Sequence, residues 1–277
     1  MSIIYEPKGR AREYAPLAAN LYTGCSHGCK YCYVPKIMEK SPEEYRKAEP
    51  RQNVLEELEK DCKKYYASDR YVQLSFVGDP YDPADQEFEI TRLALKLFLN
   101  YKIPVSILTK GGSRVLRDID IFEQFGEHII VGQTLTFWDK EKSVKWEPFA
   151  AFPQDRIHAL RILKQNGIRT WASFEPVIEP EETLKVMEHA LPYLDYVKVG
   201  KINHFEEIEK RIDWHKFAID VIRLLNESGK PFYLKRDLRE IAGVEDMLTP
   251  EQKDPDGMKV KPFPHDNKFD DKKLTLF

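Results

Sequence analysis

Three of the chain's four cysteines, Cys25, Cys29 and Cys32, fall in the stretch Asn20–Pro35 (NLYTGCSHGCKYCYVP). Their spacing is C-x3-C-x2-C, with Gly24 and Gly28 beside them and Tyr31 and Tyr33 flanking the last cysteine. Thiolates this dense on one loop can wrap a single small inorganic core. Three ligands leave one metal position open, which is how catalytic metal sites differ from structural ones. On residues alone, two cores stay open. Iron–sulfur clusters are held by Cys thiolates, normally about four. Structural zinc usually takes a second C-x2-C pair or a histidine. Cys29 and Cys32 make one such pair, Cys25 or His27 can add to it, and the sequence has no second C-x2-C. Cys62, on the apolar face of an expected helix, reads as a small buried hydrophobe.

The rest of the chain is expected to serve that loop. With 277 residues and a 42% hydrophobic share, one large domain is as well supported as two. The net charge of −3, from 43 basic and 46 acidic residues, gives no global pull toward nucleic acid or membrane. No apolar run approaches the roughly 18–20 residues of a membrane helix. The N-terminus MSIIYEPKGRAREY lacks the apolar core and cleavage site of an export signal. A cytoplasmic location is expected, where clustered thiols read as metal or redox sites rather than disulfides.

Residues 1–17 read as a polar lead-in on the surface, Leu17–Tyr22 as a short strand, and the charged stretch 36–52 as irregular. Helical spacing then predicts Asn53–Tyr66, and an alternation sets in. Strands are expected at Tyr71–Val77, Val105–Leu108, His128–Phe137, Arg169–Val177, Tyr193–Val199 and Phe232–Leu234. Helices are expected at Gln86–Tyr101, from an N-cap at Ser113 to Phe125, and at Asp155–Asn166, Glu181–Ala190 and Asp213–Glu227. Six strand–helix alternations with short links argue for a parallel α/β sheet closing wholly or partly into a barrel over residues 1–245. Residues 246–277, rich in Lys, Asp and Pro, read as an irregular C-terminal tail, partly disordered or docked on the barrel.

C-x3-C-x-aromatic-C, with Tyr31 at the aromatic position, resembles the signature of the radical S-adenosylmethionine (SAM) superfamily. The resemblance implies a partial (β/α)6 TIM-type barrel with an N-terminal cluster-binding loop. It also implies a 4Fe–4S cluster on Cys25, Cys29 and Cys32, with S-adenosyl-L-methionine on the open iron. An electron donor such as flavodoxin or ferredoxin would drive reductive cleavage to a 5′-deoxyadenosyl radical, which abstracts hydrogen from the substrate. The cofactor carries the hard chemistry, and the protein positions it.

In such a barrel the functional side chains gather at the C-terminal strand ends. Gly78 and Asp79 match the small-residue segment that binds the amino group of SAM. Lys110 is placed for its carboxylate, and the hydroxyls of Thr134, Thr136 and Ser173 for its ribose or methionine. Glu175 is a conspicuous carboxylate on an apolar strand. Lys198, Gly200, Lys201, Lys235, Arg236 and Asp237 complete the ends and make the mouth cationic, which suits an anionic substrate.

Within the superfamily, GCSHGCKYCYVP, GDPYDPAD, ILTKGG and VLRDIDIF resemble the spore photoproduct lyase-like branch. That resemblance implies nucleic acid as substrate, in DNA repair or modification. The lyase's hydrogen-donating cysteine has no counterpart in YVQLSFVGDPYDP, and Tyr81 is the candidate substitute. The terminal Lys273–Phe277 (KLTLF) resembles a sliding-clamp-binding peptide. A radical enzyme acting on a peptide or small metabolite shares every cofactor residue. A non-catalytic iron–sulfur or zinc module is the alternative of another class.

Overall fold

The computed structural model describes residues 2–264. Its strands are β1 (Ile4–Tyr5), β2 (Leu17–Ala19), β3 (Val72–Leu74), β4 (Val105–Thr109), β5 (Ile129–Thr134), β6 (Thr170–Val177), β7 (Tyr196–Lys201) and β8 (Phe232–Leu234). They pair in chain order within one sheet, β1 antiparallel to β2 and every later pair parallel. Parallel neighbours need a crossover. The helices Val54–Lys64, Ile90–Asn100, Ile119–Phe125, Pro153–Gln165, Pro180–Ala190 and Trp214–Ser228 supply the six between β2 and β8. Among the described residues β8 does not pair back onto β1 or β2, so the sheet is an open arc of the TIM type.

Two apolar layers follow from strand alternation. Val72, Leu74, Val105, Ile107, Ile129 and Val131 face the helices and are fully buried. Against them lies the helix Val54–Lys64, whose Val54, Leu58 and Cys62 recur every fourth residue on its buried face. Residues of the other parity, Tyr71, Ile130, Trp171, Tyr196 and Tyr233, gather with Ala15, Met258 and Val260 as the filling of the arc.

The expected surface lead-in is instead an inner wall. β1 extends the sheet, and the 3-10 turn Gly9–Glu13 carries Tyr14 and Ala15 into the interior. Backbone polarity explains the docking. The Lys198 ammonium donates to the carbonyls of Glu13 at 2.6 Å, Tyr14 at 3.1 Å and Pro255 at 3.2 Å. The Tyr233 hydroxyl and the Arg236 amide both donate to the Glu13 carboxylate. Arg12 meets Asp256 through two bonds of 2.7 Å. The turn is thus tied to β7 and β8 on one side and runs into β2 on the other, spanning the interval the strands leave open.

Smaller differences have local causes. Ser113 caps no helix; residues Gly112–Asp118 form a 3-10 turn, and Ser113 bonds Asp155 through its amide and its hydroxyl. The irregular stretch after Pro35 contains two single turns, Val34–Ile37 and Pro42–Tyr45, the second closed by a Ser41–Glu44 capping box. Met258 and Val260 are buried against the inner wall. The Lys273–Phe277 motif lies outside the described residues.

Candidate active site

At the C-terminal ends of the strands a cavity of about 600 Å³ opens. Cys25, Cys29 and Cys32 line it, all free thiols and half-buried. The loop that carries them is fastened from below by the segment after β3. Ser26 donates to Asp82 through its amide at 2.7 Å and through its hydroxyl at 2.9 Å. Asn20 accepts the amides of Phe76 at 2.8 Å and Val77 at 2.9 Å. The Cys25 amide donates to the Tyr45 carbonyl at 2.9 Å. Gly24 is required there, because a Cβ would lie 2.7 Å from the Tyr45 oxygen and closer still to that of Lys47.

Asp79 is the hub of this fastening. Its carboxylate accepts the Tyr81 amide at 2.8 Å, the Lys110 amide at 2.8 Å and the Thr109 hydroxyl at 2.5 Å. Burial raises its pKa, but the hydrogen bonds from Thr109 and from the Lys110 and Tyr81 amides work against that, and it is held below the usual carboxylate range. His27 sits between Asp79, 3.5 Å from Nδ1, and Arg114, 3.1 Å from Nε2. A guanidinium can only donate, so Nε2 accepts and the ring proton is on Nδ1, facing Asp79. Burial lowers the His27 pKa, in keeping with a neutral ring. His27, which zinc would recruit, is thus spent on anchoring the loop.

On the other side, the Tyr31 hydroxyl donates to Glu147. Arg156 completes that buried network, donating to Glu147 at 2.5 Å, to the Thr134 carbonyl at 2.9 Å and to the Ala151 carbonyl at 2.8 Å. Sequence reading missed Glu147 and Arg156. Nothing in a charged loop such as KEKSVKWEP marks one glutamate for burial. Lys110 lies over the Tyr31 ring at 5.5 Å. Burial disfavours its charge, yet Cys29 and Glu147 nearby hold its pKa above the ordinary lysine value. Among the described residues its ammonium has no ion pair, so a cation faces the cavity unspent.

The far wall is built by Glu175, Lys235 and Tyr14. Lys235 donates to both Glu175 oxygens at 2.9 Å, and the Tyr14 hydroxyl also donates to Glu175. Tyr14 lies beneath Lys235, 4.7 Å from its ring centre, and edge-on to Phe76 at 5.8 Å. Sequence reading placed Tyr14 on the surface; no local signal marks it, because its hydroxyl's partners Ser173 and Glu175 are 159 and 161 positions away.

The cavity brings together Tyr31, Gly78, Asp79, Lys110, Thr134 and Glu175 with the three cysteines. Three expected residues stand elsewhere. Tyr81 is fully buried below the cavity and donates to Asp118 at 2.9 Å. The segment after β3 turns back there, and the Tyr81 side chain goes under Gly111. Thr136 lies past the end of β5, its hydroxyl 3.4 Å from Glu147. Ser173 faces inward, but Tyr14 covers it at 2.9 Å. The expected cluster of mouth cations is largely neutralised. Lys198 is sealed in the interior, Lys201 pairs with Glu209, and Lys235 pairs with Glu175. Arg236 pairs with Glu240, and Asp237 accepts from Asn203 and meets Arg10 at 3.4 Å.

The donor set can be tested against the implied metal group. Burial pushes the Cys29 thiol up to about 12, with Cys25 and Cys32 raised in the same direction for the same reason. Thiols buried together become good ligands only when a cation replaces their protons. Among the described residues no three Cys, His, Asp or Glu groups meet as one ion requires. Three thiols on one cavity are the ligand type that holds iron–sulfur clusters.

The Radical SAM superfamily profile matches residues 19–194. The chain belongs to the radical SAM superfamily, whose members are enzymes that use an iron–sulfur cluster and S-adenosylmethionine. A protein of Methanocaldococcus jannaschii is 35% identical over 164 residues, covering 59% of this chain and 61% of that protein. One from Acidianus two-tailed virus is 26% identical over 239 residues, covering 78% and 77%. The chain thus spans less than two thirds of the length of the archaeal relative. Among solved structures, a spore photoproduct lyase variant superposes with a TM-score of 0.62 at 12% identity, covering 82% of this chain and 78% of that one. Streptococcus suis SuiB bound to its precursor peptide SuiA gives 0.61 at 16%, covering 87% and 55%. These likenesses establish the fold. No helix among the described residues is long and apolar enough to cross a membrane.

Proposed function

We propose that Cys25, Cys29 and Cys32 hold a 4Fe–4S cluster and that Lys110 binds the carboxylate of S-adenosylmethionine beside it. The observation that carries this reading is the unspent Lys110 ammonium in the same cavity as the three thiols. When bound, the pair of cofactors supplies a 5′-deoxyadenosyl radical. The chain's own residues position and exclude. Tyr31, held by Glu147, and Asp79, held by three donors, fix the loop; Gly78 offers backbone without a side chain. Thr134 lines the wall between them. Glu175 keeps one orientation through Lys235 and Tyr14, and presents a carboxylate to hydroxyl donors of cofactor or substrate. Tyr81, expected as hydrogen donor, is too deep for that role.

For the substrate, the rim of the cavity favours an anionic, ring-bearing molecule, and we read it as nucleic acid. Lys8, Arg10, Tyr33 and Ile37 line the opening, with Tyr33 48% exposed. Aromatic platforms among cations suit bases and phosphates. Spore photoproduct lyase has been solved with a dinucleoside photoproduct, which supports the same class. SuiB, solved with a peptide, supports the alternative of a peptide substrate.

The test is the Lys110→Met variant after anaerobic reconstitution. Loss of a charge-assisted contact of about 1.5–3 kcal/mol predicts roughly 10–100-fold weaker binding of S-adenosylmethionine by calorimetry, with iron content unchanged. Equal affinity in the variant would remove Lys110 from the site.

A further inference from the structure

Two chain segments that the cofactor reading leaves idle meet at the mouth of the cavity. One is the N-terminal segment with Lys8 and Arg10, the other the link after β7 with Asn203 and His204, and all four residues line the cavity. Asp237 joins the segments: its Oδ2 accepts the Asn203 side-chain amide at 2.9 Å and lies 3.4 Å from Nε of Arg10. Arg10 is thus held by one edge of its guanidinium, while its two terminal nitrogens have no partner among the described residues. Its side chain stays 50% exposed. Gly9, at φ 57°, turns the chain between Lys8 and Arg10.

The link after β7 is fastened on both sides of His204. Lys201 pairs with Glu209 and donates to the Ile202 carbonyl at 3.0 Å. Asn203 also donates to the Lys201 carbonyl at 3.3 Å, and the Phe205 amide to the Glu209 carboxylate at 3.3 Å. The Trp214 indole holds the Glu209 carbonyl at 2.8 Å. His204 itself has φ 69°, in the left-handed region that a Cβ disfavours. Its ring is exposed and has no hydrogen bond or ion pair among the described residues. A disfavoured backbone fixed by its neighbours, carrying a side chain the fold does not use, is the pattern of a functional position.

We propose that Arg10 and His204, with Lys8 beside them, grip a phosphodiester of the substrate strand while the adjoining base enters the cavity. The inference rests on the nucleic-acid reading and deepens it, because a bare nucleoside would lack the group that this lip holds. The charges that line the cavity support an anion. Its carboxylates are Asp79 and Glu175, the first engaged by Thr109 and the second by Lys235. Lys201 and Lys235 are paired, which leaves Lys8, Arg10 and His204 as the donors at this lip. The exposed carboxylates nearest along the chain, Glu6, Glu206 and Glu207, do not line the cavity, and Glu6 and Glu206 pair with Arg70 and Lys210. Two free nitrogens on one guanidinium match two oxygens of a phosphate. An acidic peptide could meet the same fork, but Tyr33, 48% exposed and lining the same cavity, offers a stacking face that a base uses and a carboxylate does not. Phosphate contacts position a strand without reading it, so the choice of base is left to the interior.

The experiment uses the full reconstituted chain with S-adenosylmethionine and no reductant. The probes are a labelled random-sequence DNA octanucleotide and the same octamer with uncharged methylphosphonate linkages, followed by fluorescence anisotropy. Wild type is expected to bind the charged octamer about tenfold more tightly. Arg10→Gln should weaken the charged octamer about tenfold and leave the uncharged one unchanged. His204→Gly, which suits the left-handed backbone, should weaken the charged octamer roughly threefold and melt no lower than wild type. Iron content should be the same in both variants. Should Arg10→Gln fold poorly, His204→Gly carries the test. Equal binding of the two octamers by wild type would overturn the grip and leave the nucleic-acid reading standing. Variants that lose both octamers alike would also overturn it, since that is a structural loss. No binding of either octamer, or displacement of the charged one by an equal concentration of hexaglutamate, would sink the nucleic-acid reading and this inference with it.

Discussion

Lys235 lies 2.9 Å from both carboxylate oxygens of Glu175, although β7 runs between the strands that carry them. The two meet because β7 presents Gly200 at that level. A Cβ there would sit 2.7 Å from Glu175 Cδ and 2.8 Å from Lys235 Cδ. Gly200→Ala is therefore expected to push the pair apart and to cost about 1–3 kcal/mol by overpacking. Deoxyadenosine turnover should fall at least tenfold while iron content holds. Wild-type turnover in Gly200→Ala would show that the geometry of the pair is immaterial.

Arg156 and Glu147 are each 1% exposed and pair with one another, with Tyr31 bonded to the same carboxylate. Arg156→Met would leave a carboxylate buried beside Tyr31. The expected loss is roughly 3–5 kcal/mol, read as a lowered urea midpoint. The double variant Arg156→Met, Glu147→Gln should regain part of it. A single variant as stable as wild type would mean that Glu147 escapes to solvent.

The four cysteines should separate cleanly. Cys25→Ala or Cys32→Ala is expected to abolish iron uptake, as is Gly24→Ala, which drives the loop off the Tyr45 and Lys47 carbonyls. Cys62→Ala, on the helix packed under β3, should keep full iron and lose about 1 kcal/mol of stability. Iron analysis and thermal melts check both. Loss of iron in Cys62→Ala would place a fourth ligand where the structure has none.

Burial lowers the Lys198 pKa to about 7, and Lys235 nearby acts in the same direction. An unfolded lysine titrates at about 10.4. Between those values the unfolded chain binds the proton that the folded chain has released, so this residue makes stability rise with pH across the window. Its penalty is complete below about pH 7 and vanishes above the unfolded value. Lys198→Met should be less stable overall, because the carbonyls of Glu13 and Tyr14 lose their donor. Its urea midpoint should also rise less than that of wild type between about pH 7 and about pH 9.5. Parallel slopes would show that Lys198 stays charged.

The barrel was legible because period and punctuation are local. Strand runs such as YVQLSFV and HIIVGQTLTF announce themselves, although β3 and β5 stop at Leu74 and Thr134. Lys110 and Glu175 line the cavity for a related reason: one follows β4 directly and the other stands near the end of β6, where strand parity still sets which way a side chain faces. Thr136 lies two residues past β5 and Tyr81 seven past β3, beyond the reach of that parity. Tyr14, Glu147 and Arg156 were beyond local reading. Tyr14 finds Glu175 across 161 positions and Tyr31 finds Glu147 across 116, contacts that exist only once the arc has formed.

Three thiols and Lys110 are proposed to hold a cluster and S-adenosylmethionine for radical chemistry. The most direct measurement is 5′-deoxyadenosine formation, by chromatography, from anaerobically reconstituted protein given S-adenosylmethionine and dithionite. Brown protein with about four irons per chain is predicted. It should release deoxyadenosine, and Cys29→Ala should release none. Colourless protein holding one zinc and no deoxyadenosine, or equal release from Cys29→Ala, would contradict the claim.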